Sequence, residues 1–279
     1  MLPRPRPDFT GEPDAAKSCP SGSEGAERRR TPAMEQRAAL RPYLHGLETA
    51  ISKRFPRSNS RGFNPPNGIK YGDDFVVLQA DLDIIKQGQA ITTDWLKEVG
   101  LELKPGKTRI TPSLTVAAGK PGFDFLGFNI RQYPVGKTKS GKDGRGRLDG
   151  FKTHLKPSKE AIEKHVTKLR ETFRQYRHAP QAALINGLNP IGIGWSNYYA
   201  YGVSAQVFKY LDKVVYSMLG GWATYRHPQK SKDWIAHKYW RIDDGQGWVF
   251  RPPAGGWSLA RQAKPSIKRY IKVQGRRSL

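Results

Sequence analysis

Cysteine is almost absent: Cys19 is the single one in 279 residues. That excludes an intrachain disulfide framework and a cysteine-rich zinc module. No run of 18 apolar residues occurs, so no membrane span is expected. The opening Met1-Leu2-Pro3-Arg4-Pro5-Arg6-Pro7 has no apolar core and does not read as a secretory signal. A reducing, cytoplasmic setting fits these absences. Acid is also scarce: 24 Asp and Glu stand against 48 Lys and Arg, a net charge of +24. Such an imbalance makes a polyanion the leading partner. Hydrophobic residues make up 37%, enough for a core but not a large one. The length allows one large domain or two modest ones.

The charge is unevenly placed. The last 129 residues carry 23 Lys and Arg against 7 Asp and Glu, two thirds of the excess. They also hold every tryptophan except Trp95. Cations interleaved with aromatic rings suit phosphate contact together with base stacking. A solvated charged surface around an ordinary core explains a single charged run, but not an imbalance sustained over a whole domain.

Residues 1–33 are rich in Pro, Gly, Ser, Glu and Arg, with few large apolar side chains. They cannot bury enough surface to offset ordering entropy, so a disordered basic tail is expected over 1–43. Leu40, Leu44, Leu47 and Ile51 then mark one face of a helix. Ile69-Lys70-Tyr71 and Phe75-Val76-Val77-Leu78 flank Gly72-Asp73-Asp74, which reads as a β-hairpin. Leu82 to Val99 predicts an amphipathic helix closed by Gly100. Short strands are expected at 101–103 and 108–111, and one aromatic strand at 123–130. The Gly- and Lys/Arg-rich stretch 135–150 reads as a flexible basic loop and a domain boundary. Beyond it, Ser158 caps a helix whose Ile162, Val166, Leu169, Phe173 and Tyr176 form an inward stripe. A shorter helix is expected at 181–187, more helix between Trp195 and Trp222, and a basic, Pro/Gly-broken segment after Arg226.

Asp73-Asp74 is the informative pair. Adjacent carboxylates at a hairpin tip repel, and a divalent cation relieves that repulsion. Mg²⁺ favours oxygen ligands, and two such ions can clamp the oxygens of a phosphoryl transfer. The tetrapeptide alone also fits an ordinary exposed turn. The six histidines, His45, His154, His165, His178, His227 and His237, lack metal-ligand spacing.

Taken in order, Tyr71-Gly72-Asp73-Asp74-Phe75-Val76-Val77-Leu78, then Val99-Gly100-Leu101-Glu102-Leu103-Lys104-Pro105-Gly106-Lys107-Thr108, then Phe123-Asp124-Phe125-Leu126-Gly127-Phe128 resemble the later palm motifs of group II intron reverse transcriptases. Gly72 replaces the usual alanine. Lys156-Pro157-Ser158 with its helix and Leu188 through Tyr199 resemble that family's thumb, called the maturase or X domain, and Trp222-Ala223-Thr224-Tyr225-Arg226-His227-Pro228, Lys230, Lys232 and Trp234 continue the likeness into the basic segment that follows the maturase helices. Ile193 stands where the family often has arginine. The resemblance covers about 44–275. It implies an α+β chain: a partial palm at 44–150, a helical maturase domain at 151–225 and a basic C-terminal extension at 226–279. It further implies Asp73 and Asp74 as catalytic metal ligands for Mg²⁺, with Tyr71 and Gly72 completing the motif.

Two parts of the family pattern are missing. The third palm carboxylate comes from an upstream strand, and none of the acids before Asp73 lies in a convincing strand. The fingers have no counterpart either. An N-terminally truncated reverse transcriptase/maturase is therefore expected, with an incomplete Mg²⁺ site and no RNA-directed DNA polymerase activity alone. Without cysteines after Cys19, an HNH endonuclease module is not expected. The remaining competence is binding of group II intron RNA and assistance of splicing. Candidate RNA contacts are Lys159, Lys164, Lys168, Arg170, Arg174, Arg177, Arg226, Lys230, Lys232 and Lys238. Trp195, Tyr198 and Tyr199 are candidates for stacking or packing. A DNA target, a complementing N-terminal reverse-transcriptase fragment, or a non-functional remnant are the alternatives.

Overall fold

The computed structural model describes residues 46–55, 65–71, 74–114, 121–142, 146–243, 247–263 and 265–268. The expected tail at 1–43 lies outside them, as do Gly72 and Asp73. The described residues form helices and small antiparallel sheets, an α+β architecture.

The first unit joins helix α1 (Leu47–Arg54), strands β1 (Asn67–Tyr71) and β2 (Asp74–Leu78), and helix α2 (Leu82–Glu98). Tyr71 pairs with Asp74 across the hairpin. Asp81 caps α2, its Oδ1 accepting from the amide of Asp83 at 2.8 Å. At the other end Gly100 takes φ +73°, and the amide of Leu101 donates to the Leu96 carbonyl. Leu47, Ile51, Phe55 and Leu96 form a small core here, covered by Phe75, Val77 and Trp95. The strands expected at 101–103 and 108–111 are not formed. The amides of Lys107 and Thr108 instead bond back to the Lys104 carbonyl in a turn, leaving no ladder.

The aromatic run at 123–130 is a hairpin, not one strand. β3 (Phe123–Phe125) and β4 (Phe128–Pro134) are joined at Leu126-Gly127, with φ +51° and +76°. Positive φ at both central positions is the type I′ geometry that matches strand twist. β5 (Phe151–Pro157) pairs with β4 along its whole length. The expected boundary at 150 therefore falls inside a second hairpin, whose loop is closed by the Val135 amide on the Gly150 carbonyl.

Ser158 ends β5 and caps α3 (Lys159–Gln175), accepting from the amide of Ala161 at 3.1 Å. Helix α4 (Gln181–Tyr199) runs twelve residues beyond the expected end at 187, straight through Pro190. It contains no charged residue to mark an outer face, and Gly187, Pro190, Gly192 and Gly194 read as breaks. Burial of Leu184, Ile185 and Leu188 outweighs those local penalties. The pattern between 195 and 222 splits at residues 200–204, where the Val203 amide meets the Leu155 carbonyl, and resumes as α5 (Ala205–Arg226).

Residues 226–279, expected as an extension, contain α6 (Lys232–Tyr239) and the hairpin β6 (Trp240–Asp243) and β7 (Gly247–Phe250). Ile235, Tyr239, Trp240 and Phe250 pack into one core with Leu169, Phe173, Leu184, Leu219 and Trp222. The stretch from α6 to β7 thus packs on the same core as α3, α4 and α5. The chain then crosses back as a strap: Asn189 grips Ser258 and Ala260, and both Asp212 oxygens accept from the amides of Gln262 and Ala263.

Sheet and helices meet at the β3–β4 turn. The Tyr198 hydroxyl donates to the Leu126 carbonyl at 2.9 Å, and that of Tyr199 to Gly127 at 3.3 Å. The Phe128 ring lies against both tyrosines. A side chain at Gly127 would strike the Tyr199 hydroxyl, so glycine is required there by space as well as by φ.

Candidate nucleic-acid interface

The ten cations proposed from sequence do not stand alike. On the outer face of α3, acids answer the lysines. Lys164 meets Glu160 at 2.6 Å, Lys159 meets Glu163 at 3.7 Å and Lys168 meets Glu171 at 3.8 Å. Exposed pairs of this spacing add little stability, but they cancel local charge. Arg170 and Arg174, four residues apart, lie along one flank of the same helix, and Arg177 follows just beyond its end. They form no ion pair among the described residues.

The end of that flank meets the end of α5. The Arg177 guanidinium sits 3.9 Å from the centre of the Tyr225 ring, and His178 approaches the same ring edge-on. Nearby, Trp234 of α6 lies between Lys230 at 5.3 Å and Lys238 at 4.7 Å. The His227 ring meets Trp234 at 5.0 Å, and its Nε2 shares a 2.9 Å hydrogen bond with the Tyr239 hydroxyl. Tyr225 is 46% and Trp234 38% exposed, so each ring keeps free surface. A cation over an aromatic face holds its position at low cost. Lys232 is exposed at the first turn of α6.

Arg226 differs. Its Nη1 donates to the Ala179 carbonyl at 3.0 Å, its guanidinium lies over Trp222, and its Nε is buried without a partner among the described residues. These contacts fasten α5 to the loop between α3 and the helix that follows it. Trp195 stacks on His165 at 4.6 Å and also touches Tyr199 and Phe208. Tyr199 is buried, whereas Tyr198 keeps an exposed ring while its hydroxyl is held. Sequence reasoning passed over Tyr225 and Trp234 as contact rings. The spacing Lys230, Trp234, Lys238 (four and four) was the available signal.

Asp74 begins β2 and is exposed; Asp73 lies outside the described residues. Among the described residues no three His, Cys, Asp or Glu side chains gather as metal ligands. No helix among the described residues is long and apolar enough to cross a membrane.

Three histidines are pushed toward the neutral form. Burial lowers the pKa of His165, although its bond to Gln262 opposes this. For His227 partial burial acts first, then Lys238, Arg226 and Lys230; for His154 burial acts first, then Lys156 and Lys152. The unfolded chain therefore binds more protons than the folded one as pH falls through about 6.5. Stability is fully present above that pH and declines below it. Urea unfolding at pH 7.5 and 5.5 is expected to give a lower midpoint at 5.5, with a smaller difference in His165→Gln. Equal midpoints at the two pH values contradict this.

Residues 162–240, spanning α3 to the start of β6, match the family model described as group II intron, maturase-specific domain. This stretch of the chain is maturase-like, and the cation–aromatic cluster just described lies within it. No curated protein matches the chain.

Proposed function

We propose that this protein binds group II intron RNA through the ends of α3 and α5 and through α6, and assists splicing by stabilising the folded RNA. The observation that carries the reading is the placing of Arg177 over Tyr225 and of Lys230 and Lys238 over Trp234, cations that meet no acid among the described residues, inside a maturase-type domain. Splicing help of this kind needs no protein chemistry, because the RNA catalyses its own cleavage and joining. The protein has to hold phosphates and recognise shape. We read the first unit and the β3–β4 hairpin as late reverse-transcriptase palm. The Tyr71–Asp74 pairing and the tight Leu126-Gly127 turn support that reading. The function we propose is RNA binding, and it rests on the cation–aromatic cluster rather than on the Asp73-Asp74 pair.

Competition binding tests it. A labelled group II intron transcript is expected to stay bound against an excess of unstructured RNA of equal length, and its splicing at limiting Mg²⁺ is expected to accelerate with protein. Equal displacement by both RNAs, with no effect on splicing, identifies a binder that acts by charge alone.

A further inference from the structure

We propose that the face of the β3–β4–β5 sheet turned away from the helices is a second RNA-contact surface, which holds the backbone through its phosphates. The antiparallel register sets Asn129 opposite Lys156, Arg131 opposite His154 and Tyr133 opposite Lys152. Strand side chains alternate, so these six share one face. The other face carries Phe128, whose ring packs on Tyr198 and Tyr199 of α4. The cationic face is thus the one opposite these helix contacts; Lys152 is exposed on it, and the Arg131 Nε and His154 Nδ1 are buried there without a hydrogen-bond partner among the described residues.

Tyr133 organises it. The Arg131 guanidinium lies 4.7 Å and the Lys156 ammonium 5.3 Å from the ring centre, and the His154 ring lies at 4.8 Å. Arg131, Lys152 and Lys156 form no ion pair among the described residues. The one acid paired onto this face, Asp124 at its edge, accepts a 2.7 Å hydrogen bond from the Asn129 amide group. Three uncompensated cations therefore share one sheet face, and Lys152 and Lys156 alone extend the charge over about 13 Å of β5. Lys137 and Lys139, in the short turn after β4, are exposed as well. Two of the cations are already pinned on the ring and lose little freedom on meeting a ligand. Because cations and an imidazole crowd the ring, bases have little room to stack there, and phosphate is the group that fits. The surface lies outside the residues matched by the family model.

This inference rests on the RNA-binding reading but not on the helical surface. Its test measures affinity for an intron transcript against KCl concentration, using the full chain, Arg131→Gln/Lys152→Gln/Lys156→Gln, and Lys152→Arg/Lys156→Arg. Each lost phosphate contact removes about 0.7–0.9 from the log–log salt slope. The triple variant is expected to lose about two units of slope, and the arginine variant none. Circular dichroism reports folding. If the triple variant unfolds, Lys152→Gln alone, at an exposed position, is expected to lose about one unit. Slopes and affinities unchanged in the glutamine variants overturn this proposal while the helical reading stands. Failure of the unsubstituted chain to bind RNA overturns both.

Discussion

Replacing Arg174, Arg177, Lys230 and Lys238 together by glutamine is expected to weaken binding of an intron transcript by well over tenfold at low salt, and to flatten the salt slope by about three units. The four were chosen because none meets an acid among the described residues, and three lie over exposed rings. The matched control is Lys159, Lys164 and Lys168 changed to glutamine. These already face Glu163, Glu160 and Glu171, so RNA meets little net charge there. Titration at several KCl concentrations checks both. An equal loss in the two variants would mean that total charge, not the cluster, governs binding.

The second large effect concerns stability. Phe208 is 1% exposed in α5 and meets Trp195 edge-on. Phe208→Ala removes a buried ring and leaves a cavity, at a cost of about 3–5 kcal/mol. For a domain of this size the melting temperature is expected to fall by roughly 6–20 °C. Tyr210, two residues along the same helix, is 54% exposed. Tyr210→Ala is expected to stay within about 0.5 kcal/mol of the unsubstituted protein. Differential scanning calorimetry separates the two. A small effect at Phe208 would contradict the packing described for α4 and α5.

What was legible in the sequence follows from which signals are local. The Ser158 cap and the stripe through Val166, Leu169 and Phe173 rest on spacing within one helix, and both stand as read. Gly100 closes α2 for the same reason. Helix α4 escaped because it carries no charge and several breakers, so its stability comes from burial that spacing does not reveal. The turn at Leu126-Gly127 escaped because leucine rarely adopts positive φ, and the Tyr198 and Tyr199 hydroxyls that hold its carbonyls lie 72 residues away. In the candidate site, basic composition pointed to a polyanion but did not separate the cations that meet acids from those that lie over rings. The acids three or four residues from Lys159, Lys164 and Lys168 were visible in sequence and mark the neutralised face. The role of Arg226 depends on Ala179 and Trp222, and only the fold brings all three together.

Ultraviolet cross-linking of the full chain to a group II intron transcript, with the linked peptides mapped by mass spectrometry, tests the account most directly. Cross-links at Tyr225 and Trp234, displaced by excess unlabelled intron but not by unstructured RNA, are the result predicted. Cross-links that avoid both rings while binding persists would contradict it.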